Sequence, residues 1–244
     1  MSTSITLATT RRILTQLRHD PRTVALIIGV PSLLMILLRY VLNSEQRFSG
    51  VAPALLGIFP FTIMFLLTSI TTLRERTTGT LERLMTLPMG KLDLLFGYAL
   101  AFGLLATIQV LVAAGIALAW LGLSIAGSVW SLLLITVLDA LLGTALGLFV
   151  SAFARTEFQA IQFLPVFVLP QFLLCGLFVP RDSMGWLLNW LSDVMPLSYA
   201  VDALTHVTRS ATVDGTLIRN ILIIAGCAVL ALILGAATLR RRTP

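Results

Sequence analysis

Apolar residues along this chain arrive in long unbroken runs, without the alternation of a half-buried strand or the stripe of a soluble surface helix. Six such runs occupy residues 24–42, 52–73, 94–119, 129–153, 160–179 and 217–239. Each is long enough to cross ~30 Å of hydrocarbon as an α-helix. Continuous runs exclude a β-barrel, whose strands alternate lipid-facing and lumen-facing positions. The pattern predicts an all-α polytopic membrane protein with six transmembrane helices. No repeat of fixed period interrupts it, so residues 1–244 read as one membrane domain.

Three segments outside the runs have their own patterns. Before the first run, Ile5, Ala8, Ile13, Leu14 and Leu17 alternate with Arg11, Arg12 and Arg18, and Asp20-Pro21 ends the stretch. This predicts an N-terminal amphipathic interfacial helix within residues 1–23. Between the second and third runs, residues 74–93 gather Glu75, Arg76, Glu82 and Arg83 around Leu81, Leu84 and Met85. A short helix outside the membrane fits there, with Gly79 permitting a bend and Pro88 ending it. On the residues alone it is either a docking surface for another protein or a solvated loop. The third segment, 180–216, holds an apolar patch from Met184 to Met195 that is too short to span, with Trp186 and Trp190 suited to headgroup depth. Pro180 and Pro196 punctuate it, and a re-entrant or interfacial helical hairpin before the last span is predicted.

Composition supports the membrane assignment, with 57% hydrophobic and 11% charged residues and a mean hydropathy of +0.96. The basic pI, near 10.3, is explained by topology and not by nucleic-acid binding. Of the 17 Lys and Arg residues, Arg11, Arg12, Arg18, Arg22, Arg74, Arg76, Arg83, Lys91, Arg155 and Arg240 to Arg242 fall in one alternate set of connections. Arg39, Arg47, Arg181, Arg209 and Arg219 fall in the other. The positive-inside rule then places both termini in the cytoplasm. Residues 1–23 lack a continuous apolar core and do not read as a signal peptide. Cys175 and Cys227 lie inside apolar runs and read as small buried hydrophobes.

Several chemistries have no support. There is no G-x-x-x-x-G-K-[ST], because Gly90-Lys91 is followed by Leu92 and Met85 stands where the first glycine belongs. H-E-x-x-H and G-x-S-x-G are also missing, and the two histidines, His19 and His206, fall on opposite predicted sides. No catalytic residue and no metal site are therefore assigned.

Polar groups inside the spans carry what chemistry remains. Asp139 is the one carboxylate deep in a run, and Gln109 sits at matching depth, ~21–22 Å from the inner ends of two consecutive antiparallel helices. The pair is predicted to share a hydrogen bond. Asp139 reads either as a buried packing group or as a proton-coupling carboxylate, and the lack of further carboxylates favours packing. Asp139, Gly143, Gly147 and Ser151 step by four and predict a face for close helix packing. The fifth run, with Pro165, Pro170, Gly176 and three glutamines, reads as a broken helix that either lines a cavity or simply kinks.

The stretch "RERTTGTLERLMTLPM", residues 74–89, resembles the segment after the second span of ABC-2-type transport permeases. Glu75, Arg76, Gly79, Thr80, Leu81, Glu82, Leu84 and Pro88 match its E-R-x-x-G-T-L-E-x-L-x-x-x-P pattern. "CGLFVPRDSMGWLLNW" and "MPLSYAVDAL" resemble the family's turn after span five and its approach to span six. The likeness is nearest to daunorubicin-resistance-type drug-export permeases. It implies a multi-pass inner (plasma) membrane permease without bound cofactor, pairing with a second permease copy and with two copies of a separate ABC ATPase that carries ATP and Mg. Residues 74–88 would be the cytoplasmic coupling helix seated in that ATPase. Phe61, Phe65, Phe163, Phe167 and Gln171 would line the path of an amphiphilic substrate, drug or lipid-like. Against this stand a stand-alone proton-coupled exporter working through Asp139, and a scaffold protein with no transport path.

Overall fold

In a computed structural model, which describes residues 3–79 and 90–238 and, for Lys91, Leu92 and Leu95, the backbone only, the chain is helical throughout its elements. In chain order these are α1 (Thr3–Arg18), α2 (Pro21–Leu42), α3 (Glu45–Thr77), α4 (Lys91–Ala119), α5 (Val129–Ser151), α6 (Glu157–Phe167), α7 (Leu169–Leu174), a 3₁₀ turn (Arg181–Ser183), α8 (Trp186–Val194), α9 (Pro196–Arg209) and α10 (Gly215–Thr238). Six spans are long and apolar enough to cross a membrane: α2, α3, α4 from Phe96, α5, α6 with α7, and α10.

Local chemistry explains the boundaries. The Asp20 carboxylate accepts from Thr23 N with Pro21 in the first turn, and Asn43 ends α2 in the left-handed region at φ 44°. Ser44 caps α3 through Arg47 N, and Thr156 caps α6 through Gln159 N. The fifth span breaks at Val168, between α6 and α7. Pro170 has no N–H to give and its ring crowds the carbonyl four residues back, which weakens the helix where the break falls. The helical part of this span ends at Leu174, five residues short of the expected 179, and the chain then turns at Gly176 with φ 92°.

At 33 residues, α3 is ~50 Å long and outlasts the hydrocarbon core. It is the axis of the fold, with α5 along one side. The two run parallel and in register, and the evidence lies in what a side chain would meet at each glycine. A Cβ at Gly57 would sit 3.3 Å from Asp139 Oδ2, one at Gly143 2.3 Å from the Phe61 carbonyl oxygen, and one at Gly147 2.4 Å from that of Phe65. The small-residue face of α5 predicted from sequence thus meets α3, where it lets the two backbones touch. Thr68 Oγ1 adds a bond across the seam to the Thr144 carbonyl at 3.3 Å.

The other helices pack around this pair. α10 lies on α5, α9 is wedged among α3, α5 and α10, and α1 docks on α4. α1 is more than an interfacial float: Thr6, Thr9 and Ile13 are buried. Thr9 crowds Gly97, and Thr10 Oγ1 donates to the Gly97 carbonyl at 3.2 Å. Leu232 and Ala236 of α10 join Ile13, Leu94 and Leu148 in one apolar cluster, so α1 and the end of α10 meet at the same end of the bundle, here called the terminal face. Leu33, Leu37, Leu104, Leu111, Leu222 and Leu230 remain exposed, as lipid-facing positions do.

Candidate functional site

At the terminal face, α3 carries three charged residues in one turn, Arg74, Glu75 and Arg76. Successive side chains on a helix point ~100° apart, and these three reach three different neighbours. Arg74 grips Glu157 at the start of α6 in a fork, Nε at 2.9 Å and Nη2 at 3.2 Å. Glu75 accepts from Arg12 Nη2 of α1 at 3.1 Å, and the same Nη2 donates to the Tyr98 hydroxyl of α4 at 3.3 Å. Arg76 Nη1 donates to the Ser151 carbonyl at the end of α5 at 2.5 Å. One turn of α3 therefore ties α1, α4, α5 and α6 together.

This changes the role of two expected docking residues. Glu75 is only 7% exposed, and both Glu75 and Arg76 are used within the chain. Gly79 follows at φ 73°, a left-handed position that suits glycine, and turns the chain away from α3. Thr80, Leu81, Glu82, Leu84 and Pro88 lie outside the described residues. On the return, the Asp93 carboxylate accepts from Gly90 N at 3.1 Å and holds the first turn of α4.

Inside the bundle, Gln109 and Asp139 are both fully buried, but the hydrogen bond expected between them is not formed. Neither side-chain oxygen of Asp139, nor the oxygen or nitrogen of Gln109, has a partner among the described residues. Matching depth proved insufficient, because azimuth also decides. Leu141, two residues and ~200° further on, is the side chain that reaches α4, at Gly103. Asp139 points the other way, beside Gly57 of α3, where Val201 and Leu204 of α9 also converge.

The five expected path residues do not share one surface. Phe61 and Phe65 are fully buried, because the glycine face of α5 draws α3 into the core. Phe163 and Phe167 stack edge to face at 6.0 Å, and Phe167 is exposed. Gln171 is buried and engaged at both ends of its amide: its Nε2 donates to the Phe167 carbonyl at 2.9 Å and its Oε1 accepts from Leu197 N at 3.3 Å. It ties α7 to α9 where a free polar wall was expected.

Sequence reasoning missed Arg181. At the end opposite the terminal face its guanidinium pairs with Asp193 of α8 and Asp202 of α9 and lies 5.2 Å from the Tyr199 ring centre. Burial pushes the Asp202 carboxyl up, and Arg181 opposes the shift. These contacts close the α8–α9 hairpin over a polar cavity of about 820 Å³ reaching α10 at Asn220. The Pro-Arg-Asp sequence itself gave no sign that both partners lay twelve and twenty-one residues away.

Residues 3–208 match the family model described as ABC-2 type transporter. Among curated proteins, "Probable multidrug ABC transporter permease YbhS" of Escherichia coli K12 is 27% identical over 181 residues, 74% of this chain and 48% of that protein. "Inner membrane transport permease YhhJ" of the same strain is 29% identical over 159 residues, 63% of this chain and 41% of its own length. "ABC transporter G family member 20" of Dictyostelium discoideum is 27% identical over 166 residues, 68% of this chain and 23% of that protein. The chain thus spans about half or less of the curated relatives it matches.

Proposed function

Since this chain belongs to the ABC-2 type transporter family, we propose that it is the membrane-spanning permease subunit of an ABC exporter in the plasma membrane, driven by a separate ATPase. Two permease copies would pair with two ATPase subunits, and ATP and Mg would bind on the ATPase. In this reading the terminal face is cytoplasmic, in keeping with the Lys and Arg distribution. The cargo is amphiphilic, a drug or a lipid-like molecule, in keeping with the apolar, aromatic spans and with the multidrug name of the Escherichia coli relative YbhS.

The observation that carries the reading is the last turn of α3. A push on residues 80–89 enters the membrane domain at Gly79. Directly behind it, Arg74, Glu75 and Arg76 engage α6, α1 and α5. A displacement of that turn therefore loads α1, α5 and α6 at once, and α4 through the Arg12–Tyr98 bond, and need not be absorbed by a loop. Leu81, Glu82 and Leu84 would touch the ATPase, while Glu75 and Arg76 hold the lever to its bundle. Of the aromatic path candidates, Phe167 alone offers an open face to a second copy.

The proposal is tested by co-purification: a partner with Walker A and B motifs should accompany the tagged permease, and purification of the permease alone from its native membrane would contradict it. One observation favours a second reading. Asp139 is fully buried with neither oxygen bonded, as a proton-carrying carboxylate between access states would be. Under that reading Asp139→Asn abolishes transport while assembly and ATPase coupling survive. Under the packing reading Asp139→Asn transports normally.

A further inference from the structure

A second cavity, of about 650 Å³, opens at the terminal face between α1, α2 and α3. Its wall is apolar, with Leu26, Val30, Ile63 and Leu66 among its lining. Its rim is charged, made by Asp20, Arg74 and Glu75. Along α3 the lining extends from Arg74 up to Ile63, eleven rises of 1.5 Å or ~16 Å, which matches one leaflet, half of the ~30 Å core. Leu26 is 63% exposed, so the α2 wall of the groove is open toward the hydrocarbon at that position.

The rim carries both signs of charge, and part of each is uncommitted. Glu75 is neutralised by Arg12. Arg74 spends Nε and Nη2 on Glu157, which leaves Nη1 for another acceptor. Among the described residues the Asp20 carboxylate accepts from Thr23 alone, at its amide and hydroxyl, and a carboxylate has about four lone-pair sites. Those two bonds hold the Asp20 carboxyl below its usual range, and the charges of Arg22 and Arg74 add to the effect. The rim thus sets the Asp20 carboxylate beside the Arg74 guanidinium, above an apolar slot about one leaflet deep.

We infer that this groove holds one zwitterionic phospholipid of the phosphatidylethanolamine type, its ammonium on Asp20, its phosphate on Arg74, and an acyl chain along α2 and α3. An anionic lipid without an ammonium would satisfy Arg74 and meet Asp20 with repulsion. The inference depends only on the chain being embedded in a bilayer, and it stands or falls separately from the transport reading.

The test is lipid analysis of the full-length protein reconstituted into nanodiscs of equal phosphatidylethanolamine and phosphatidylglycerol, followed by detergent release and mass spectrometry of the retained lipid. About one lipid per chain should remain, with phosphatidylethanolamine favoured over phosphatidylglycerol roughly three to one, the scale of an exposed ion pair. Asp20→Asn keeps the helix cap, since Asn caps as well as Asp. It should abolish the enrichment while a lipid is still retained. Leu66→Trp fills the slot and should lose the lipid altogether. Retained lipid that mirrors the mixture, or enrichment unchanged in Asp20→Asn, overturns the inference. So does a disulfide between two chains formed by Leu66→Cys, which would make the groove a permease–permease interface.

Discussion

The seam between α3 and α5 supports the sharpest quantitative prediction, for Gly147→Ala. In an exposed helix this change stabilises by ~0.8–1.0 kcal/mol through propensity alone. Here the added Cβ would lie 2.4 Å from the Phe65 carbonyl oxygen and 2.1 Å from Thr68 Oγ1, where ordinary contact begins at 3.4 Å. The shortfall against the carbonyl is 3.4 − 2.4 = 1.0 Å. Backbone cannot rotate away as a side chain does, so the helices must part by about that much, and overpacking of this kind costs ~1–3 kcal/mol. Parting also stretches the 3.3 Å bond from Thr68 to Thr144, so a net loss of about 1–2 kcal/mol is expected after the propensity gain. Gly29 is the internal control, because nothing lies within 4 Å of its Cβ position. Equilibrium unfolding in mixed micelles, followed by tryptophan fluorescence, should show Gly147→Ala destabilised and Gly29→Ala unchanged or slightly stabilised. A Gly147→Ala variant as stable as wild type would refute the seam.

Other expectations follow from the ion pairs. Arg12→Met leaves Glu75 buried without its counter-ion and should destabilise by ~3 kcal/mol, with much of the loss recovered when Glu75→Gln is added; a double-mutant cycle by the same unfolding assay measures the coupling. Arg181→Leu strands Asp193 and Asp202, but these side chains are 56% and 39% exposed, so solvent screening limits the loss to about 1–2 kcal/mol. It should loosen the α8–α9 hairpin, read as increased quenching of Trp190. Asp214 accepts from Leu217 N at 2.8 Å and faces His206 at 3.1 Å, and both hold its carboxyl below the usual range. Its stabilising contribution is therefore present above the unfolded value of ~3.9 and is lost as pH falls through the lower folded value. The hydrogen-exchange protection factor in the first turn of α10, corrected for the intrinsic rate, should fall in acid in wild type, and Asp214→Asn should flatten that dependence.

Hydrophobic run length gave all six spans, because the bilayer demands ~20 apolar residues per helix whatever the neighbours do. The step-of-four small residues from Asp139 to Ser151 identified a packing face for the same reason: periodicity is a property of one helix. What stayed hidden were relations between helices. Arg74 and Glu157 meet across 83 positions, and no single-segment pattern pairs them. Gln109 and Asp139 matched in depth but not in azimuth, and azimuth depends on how each helix is rotated in the bundle. Phe61 and Phe65 sit on a span expected to face the path, yet the glycines of α5 decide which side of α3 is buried. Arg181 lay in a turn where composition marked the loop but not its acidic partners.

The most direct measurement is transport by the permease reconstituted with its co-purified ATPase in sealed vesicles, with ATP or a proton gradient supplied separately. The account predicts substrate movement with ATP alone and none with the gradient alone. It also predicts that Leu81→Asp or Glu82→Lys stops transport while ATP hydrolysis continues and the permease still inserts. Unchanged transport in both variants, or movement driven by the gradient without ATP, would contradict it.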